Sequence, residues 1–323
     1  MLPVAVDAMG GDRAPGEIVA AAHAAVAEGI PVVLVGPADL PGVGDLPLFV
    51  ASEVIEMDDD PAHGVRRKKD STLVRAAELV RDGKASAMIS AGNTGATMAS
   101  ALLRMGRIRG VSRPAIATPL PVPGHAPNIL LDAGANAEVQ AEWLVQWAQM
   151  GAVFARHRFG VAEPRVGLLS IGEEAGKGDS LRKEVYDLLA AASGIHFAGN
   201  VEGRDALLKT VDVIVTDGFT GNVVLKTLEG GTKVLINEVI TAITATPELK
   251  AHADALAPAL EPLWTAMSAD TYGGAMLLGV DGVCIISHGS SGQWAMLNGI
   301  RVAKEMVERN VVAELTAAIA GRD

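Results

Sequence analysis

Two short stretches carry side chains with evident chemical use. Lys177 stands between glycines in GEEAGKGD (Gly172 to Asp179), and Asn222 closes DGFTGN (Asp217 to Asn222). A lysine in such a loop offers a compact positive charge that could hold a phosphate oxygen or an oxyanion. An isolated lysine is also commonly a solvated surface group. The Asn222 amide either caps the helix that continues as VVLKTLEGG or donates to a reacting carbonyl, and spacing alone does not choose. His288 lies in SHGSSGQ (Ser287 to Gln293) and carries an imidazole, the side chain most often used to move protons. It could serve as a general acid or base, or as a structural hydrogen-bonding group.

Three more loops share this make-up: MGGD (Met9 to Asp12), AGNTGA (Ala91 to Ala96) and DAGANAE (Asp132 to Glu138). Glycines such as Gly10, Gly11, Gly92 and Gly95 let backbone N–H groups approach a ligand oxygen, while Asn93 and Thr94 add side-chain donors or cap a helix. The run DDDPAHGVRRKKDST changes sign from acidic to basic, so Arg66, Arg67, Lys68 and Lys69 could receive phosphate or an acidic protein partner. A solvated loop fits the same run.

Each of the six loops ends an apolar strand-like run and opens a helix-like one. In an open parallel sheet such loops gather at the carboxyl ends of the strands, where helix N-termini hold anions. The expected fold class is therefore α/β, with a mostly parallel sheet, all six loops at one edge, and phosphate as the ligand. Strands are expected at Pro3 to Ala8, Pro31 to Gly36, Leu48 to Val54, Ala85 to Ser90, Asn128 to Asp132, Arg165 to Ile171, Val211 to Asp217 and Gly282 to Ser287. Helices are expected at Gly16 to Glu28, Thr72 to Asp82 (capped by Ser71, ended by Gly83) and Thr97 to Gly106. The rhythm breaks at Thr244 to Thr271, with three prolines and the apolar Leu256, Leu260, Leu263, Trp264 and Met267, which predicts a protruding excursion from a single domain over 1–323.

Composition narrows the function. The 323 residues are 49% hydrophobic and 3% aromatic, so aliphatic side chains fill the core. A net charge of −11 argues against nucleic-acid binding. The single cysteine, Cys284, lies in GVCIISHG, reads as an inert core thiol and fits a reducing cytoplasm. The start lacks a signal-peptide pattern and no segment offers about 20 uninterrupted apolar residues. That predicts a soluble protein, or one peripheral to a membrane. No catalytic-triad, CxxC, HExxH, Walker A or GxGxxG spacing occurs.

In order, VDAMGGDRAP, RRKKDST, SAGNTGA, LDAGANAE, IGEEAGKGD, DGFTGNVVLKTLEG, YGGAMLLGVDG and SHGSS span nearly the whole chain. This set resembles the PlsX family of bacterial acyl-acyl carrier protein:phosphate acyltransferases. The resemblance implies transfer of a long-chain acyl group from the thioester of acyl carrier protein to inorganic phosphate, giving acyl phosphate for glycerol-3-phosphate acylation and phospholipid synthesis. It implies a homodimer with a three-layer α/β/α fold similar to isopropylmalate dehydrogenases and phosphotransacetylases. The location implied is cytoplasmic, with contact at the inner face of the cell membrane and with a downstream glycerol-3-phosphate acyltransferase.

Lys177 and Asn222 match the family's catalytic pair. Asp7, Gly10, Gly11, Asp12, Gly92, Asn93, Thr94, Gly95, Asp132, Asn136, Thr220, Gly221 and His288 are assigned to substrate and phosphate. The run Arg66 to Lys69 is assigned to carrier-protein docking. Attack of phosphate on a thioester needs phosphate fixed near the carbonyl and donors for the oxyanion, so neither metal nor cofactor is expected. Two rivals remain: a phosphotransacetylase using a short coenzyme A thioester, and a non-catalytic membrane-bound scaffold.

Overall fold

The computed structural model describes residues 1–320. The chain opens with β1 (Val4–Asp7), α1 (Gly16–Ala27), β2 (Val32–Gly36), β3 (Leu48–Val50), α2 (Pro61–Arg67), α3 (Thr72–Arg81), β4 (Ala87–Ser90), α4 (Thr94–Arg104) and β5 (Ala115–Leu120). It continues with β6 (Asn128–Leu131), α5 (Ala141–Phe159), β7 (Arg165–Leu169), α6 (Ser180–Ala191), β8 (His196–Val201) and β9 (Val213–Val215). A long pair follows, α7 (Gly218–Ile243) and α8 (Pro247–Met267), then β10 (Ala275–Leu278), β11 (Val283–Ile286), α9 (Gln293–Glu308) and α10 (Val311–Ala320).

Among the described residues the eleven strands form one sheet, ordered β3-β2-β1-β4-β11-β10-β5-β6-β9-β7-β8. Strands buried on both faces sort their side chains with period two. Val4 and Val6 of β1, Ile129 and Leu131 of β6, and Val283 and Ile285 of β11 join one core layer with α1, α5, α6, α9 and α10. Ala5, Leu130 and Cys284 point into the other, with α2, α3, α4 and the first turns of α7. The three-layer α/β/α fold is thus as expected. Burial pushes the Cys284 thiol up to about 12, so it stays protonated at neutral pH.

One topological expectation is corrected. The consecutive antiparallel pairs β11–β10, β10–β5 and β5–β6 reverse the sheet an odd number of times. Strands β6, β9, β7 and β8 therefore run opposite to β1, β2, β3, β4 and β11, and the six loops divide between two halves instead of sharing one edge.

The predicted excursion at Thr244 to Thr271 is largely α8, which has no buried residue and carries Pro258 and Pro262 within it. The exposed segment begins earlier than expected, on α7. There the half-buried positions Leu225, Leu228, Thr232 and Ile236 recur at helical spacing toward α8, while Val234, Leu235 and Val239 face outward. Among the described residues no helix is long and apolar enough to cross a membrane.

Candidate active site

The loops after β1, β4 and β11 form the first group. Asp7, at the end of β1, accepts hydrogen bonds from Ser90 Oγ at 2.6 Å and from the Met9 N–H at 3.2 Å. Burial holds its pKa above the ordinary carboxylate value, against the bonds from Ser90, Thr72, Met9 and Gly10. A Cβ on Gly10 would lie 2.5 Å from Asp7 Oδ2 and 2.7 Å from the Gly92 nitrogen, so only glycine lets these two loops touch. The Asp12 N–H donates to the Gly289 carbonyl at 2.8 Å, and Ser287 N–H to the Ser90 carbonyl at 2.8 Å, which binds the third loop to the other two.

Asn93 turns out to be a cap. Its Oδ1 accepts from Ala96 N–H at 3.0 Å and its Nδ2 donates to the Met57 and Asp59 carbonyls. Helix α4 accordingly starts at Thr94, three residues before the predicted Thr97. Its side chain is fully occupied, so the anion-binding capacity here rests on the first-turn N–H groups around Thr94 and Gly95. Pro61, at the start of α2, packs on Gly95, while the basic run at the far end of α2 lies toward the last turn of α4, where Arg104 donates to the Val65 carbonyl at 3.5 Å. Arg66, Arg67 and Lys69 are exposed there. Lys68 is not free: its ammonium donates to the Val54 carbonyl at 2.8 Å and to Asp59 at 2.6 Å.

The loops after β6, β7 and β9 form the second group. Asp132 is fully buried and accepts from five N–H donors: Ile116, Gly134 and Ala135 on Oδ1, the Asn136 backbone and the Asn136 amide on Oδ2. Burial nevertheless raises its pKa. Asn136 also donates to the Pro114 carbonyl and accepts at its own carbonyl from Gly218 N–H. Asp217 caps α7, accepting from Thr220 N–H at 2.8 Å and from Thr220 Oγ1 at 2.8 Å. Burial alone would raise Asp217; the Thr220 bonds and the Arg182 charge outweigh it, leaving the pKa below the usual value.

Asp7, Asp132, Asn136 and Thr220 thus act as clamps that shape the loops, with their polar atoms turned to protein partners. Gly221 belongs with them, since its backbone lies against the Asp132 carbonyl.

Asn222 is different. With Asp217 as the cap, it sits in the second turn of α7, exposed and against Gly134, and its amide has no hydrogen-bond partner among the described residues. The capping alternative is removed and the donor remains available. Lys177 is half exposed, and among the described residues its ammonium pairs with Glu174 alone, at 3.9 Å. Both residues belong to this second group.

Two residues that sequence reading passed over complete the arrangement. Arg182, three positions after the Asp179 cap of α6, bonds Asp179, Thr216 Oγ1 at 3.3 Å, Thr220 Oγ1 at 3.1 Å and Asp217, tying the Lys177 loop to the Asn222 loop. Lys226, one turn beyond Asn222, places its ammonium 3.3 Å from His288 Nε2 and 2.8 Å from Glu229. His288 Nδ1 in turn lies 2.9 Å from Ser290 Oγ. That contact joins the two groups of loops: exposed cations and an unoccupied amide on one side, small-residue N–H groups and an imidazole on the other.

A sheet of this order with helices on both faces defines the class. Solved structures of a branched-chain phosphotransacylase from Enterococcus faecalis (TM-score 0.62, 15% identity, 95% of this chain and 99% of that one) and of EutD phosphotransacetylase from Staphylococcus aureus (TM-score 0.59, 15% identity, 95% and 94%) have the same fold. A family profile described as "Fatty acid synthesis protein" matches residues 2–314. Curated relatives named phosphate acyltransferase align almost end to end. That of Desulfitobacterium hafniense strain Y51 is 48% identical over 98% of this chain and 96% of its own length. That of Geobacillus thermodenitrificans is 44% identical over 98% of each. The chain belongs to this fatty acid synthesis (PlsX) family.

Proposed function

We propose that the protein transfers a long-chain acyl group from the thioester of acyl carrier protein to inorganic phosphate, releasing acyl phosphate for phospholipid synthesis. The observation that carries this reading is the free Asn222 amide, one turn from Lys226, whose ammonium lies 3.3 Å from His288 Nε2 on the other group of loops. A phosphate oxygen bonds to the carbonyl carbon, the carbon–sulfur bond breaks, and the carrier thiolate leaves and takes up a proton. Lys177 and Lys226 neutralise phosphate, Asn222 donates to the developing oxyanion, and His288 can supply the proton. No step needs a protein nucleophile.

The donor is proposed to be the acidic carrier protein and not coenzyme A, because Arg66, Arg67 and Lys69 form an exposed positive patch on a chain of net charge −11. Trapping acyl phosphate with hydroxylamine in reactions of purified protein, phosphate and either thioester tests both points. Arg66→Glu with Arg67→Glu should raise KM for the carrier thioester about tenfold and flatten its salt dependence, with turnover unchanged. An identical effect on coenzyme A thioesters would place the charges outside carrier docking. Acyl phosphate from acetyl-coenzyme A alone would favour the phosphotransacetylase reading that the shared fold offers. Absence of product from every thioester would leave the scaffold reading.

A second copy of the chain is proposed to cover the hairpin's outer face. Leu249, Leu256 and Leu263 recur there every seven residues and are exposed. The lone lysine of α8, Lys250, is paired with Asp254 at 2.9 Å, which leaves little attraction for anionic lipid. Contact with the membrane and with a downstream glycerol-3-phosphate acyltransferase would then fall to the hairpin's tip.

A further inference from the structure

Between the α7–α8 hairpin and the end of β5 lies a cleft of about 600 Å³. Its walls are mainly apolar: Leu225, Leu228 and Ile236 of α7, Trp264 and Met267 of α8, and Pro119 of β5. Polar side chains, Glu229 and Lys233 among them, stand along it. The volume falls within the range of small-molecule sites, about 300–1,000 Å³.

Its position relative to the site gives the cleft a meaning. Leu225 follows Asn222 by one turn of the same helix and precedes Lys226, and Glu229 both lines the cleft and pairs with Lys226. The cleft therefore begins where the reacting carbonyl would lie and runs away from it along α7. From Leu225 to Ile240, both on its wall, the helix advances about 22 Å at 1.5 Å per residue. A long acyl chain fills half of a bilayer's hydrocarbon core, about 15 Å. Such a chain fits; an acetyl group would leave the cleft empty.

We propose that this cleft receives the hydrocarbon chain of the acyl substrate and that its depth, at Thr232 and then Ile236, sets the chain-length preference of the enzyme. The proposal rests on the acyl-transfer reading above. A thioester whose carbonyl sits at Asn222 sends its chain along the Leu225, Leu228, Thr232 and Ile236 stripe, under Trp264. Each methylene moved from water to such a wall contributes about a fourfold gain in binding.

The test uses carrier thioesters of four, eight, twelve and sixteen carbons. Thr232→Trp fills the middle of the cleft and should lower kcat/KM for sixteen carbons by at least about 100-fold while leaving four carbons within twofold. Ile236→Trp, one turn deeper, should spare a longer chain than Thr232→Trp does. A uniform loss across all lengths, or an unchanged profile in both variants with native circular dichroism, would overturn the proposal. So would a Thr232→Trp protein that loses self-association and keeps its profile, since the face would then belong to a second copy. A readout independent of turnover separates this from the function itself. Calorimetry should show dodecyl phosphate binding to the wild-type protein at least about 100-fold more tightly than butyl phosphate, and Thr232→Trp abolishing the difference. Failure of wild-type turnover with that binding intact would sink the acyl-transfer reading alone, whereas equal binding of the two phosphates would sink the cleft.

Discussion

Asn222→Ala is expected to lower turnover by roughly 10²–10³-fold, the usual cost of removing one oxyanion donor. The amide is exposed, has no intramolecular partner among the described residues and does not cap its helix, so its removal should leave stability nearly unchanged. Lys177→Ala is expected to lose a similar factor through phosphate, with the deficit appearing partly in the KM for phosphate. Its ion pair with Glu174, at 3.9 Å on the surface, contributes little to the fold. Steady-state acyl phosphate formation by folded variants decides the matter. Near-wild-type turnover in both would move the chemistry to Lys226 and His288, the pair that links the two groups of loops.

Gly221→Ala is expected to be the most damaging small substitution near the site. A Cβ there would sit 1.9 Å from the Asp132 carbonyl oxygen, and neither side can yield cheaply. Asp132 is held by five N–H donors, and Gly221 by the first turn of α7 behind the Asp217 cap. Overpacking of this kind costs about 3 kcal/mol or more when backbone must move. The matched control is Gly230→Ala on the same helix, where an added Cβ meets nothing within 4 Å. Relief of glycine's unfolded-state freedom should stabilise that variant by about 0.5–1 kcal/mol. Urea unfolding of the two proteins should therefore shift in opposite directions, and a Gly221→Ala midpoint equal to wild type would show that the loops are not pressed together as described.

The strands read most easily from sequence were those buried on both faces. Val4 to Asp7, Ala87 to Ser90 and Val283 to Ile286 lie entirely within the core, and their continuous apolar runs announce it. The strands that were missed have physical reasons. β5 contains Pro119, which normally argues against a central strand, yet it lies between β10 and β6. β8 is an edge strand with exposed positions and Gly199, and β10 follows directly on Gly273 and Gly274, both at positive φ, so its start reads as a loop. Strand direction leaves no trace in periodicity, so the reversal of the sheet, and with it the division of the loops, had to come from the structure.

Within the site, residue types were legible and roles were not. An aspartate at a strand end looks the same whether it faces a ligand or, like Asp7 and Asp132, holds its own loop against a neighbouring strand. Lys226 lay in a quoted motif four positions after Asn222, hence on the same face of one helix, and that spacing was the signal available for it.

The place of β11 in the strand order governs the timing of the protein's birth. It pairs with β4 on one side and β10 on the other, although nearly two hundred residues separate it from β4 in the chain. At about 5–20 residues per second, synthesis from Ser90 to Val283 takes on the order of 10–40 s. Throughout that interval β4 has an apolar strand edge without its partner, the situation in which nascent chains stick to one another or enlist chaperones. The segment from β6 to β9 has no such debt to the C-terminus, so its part of the sheet can close while the older half is still waiting.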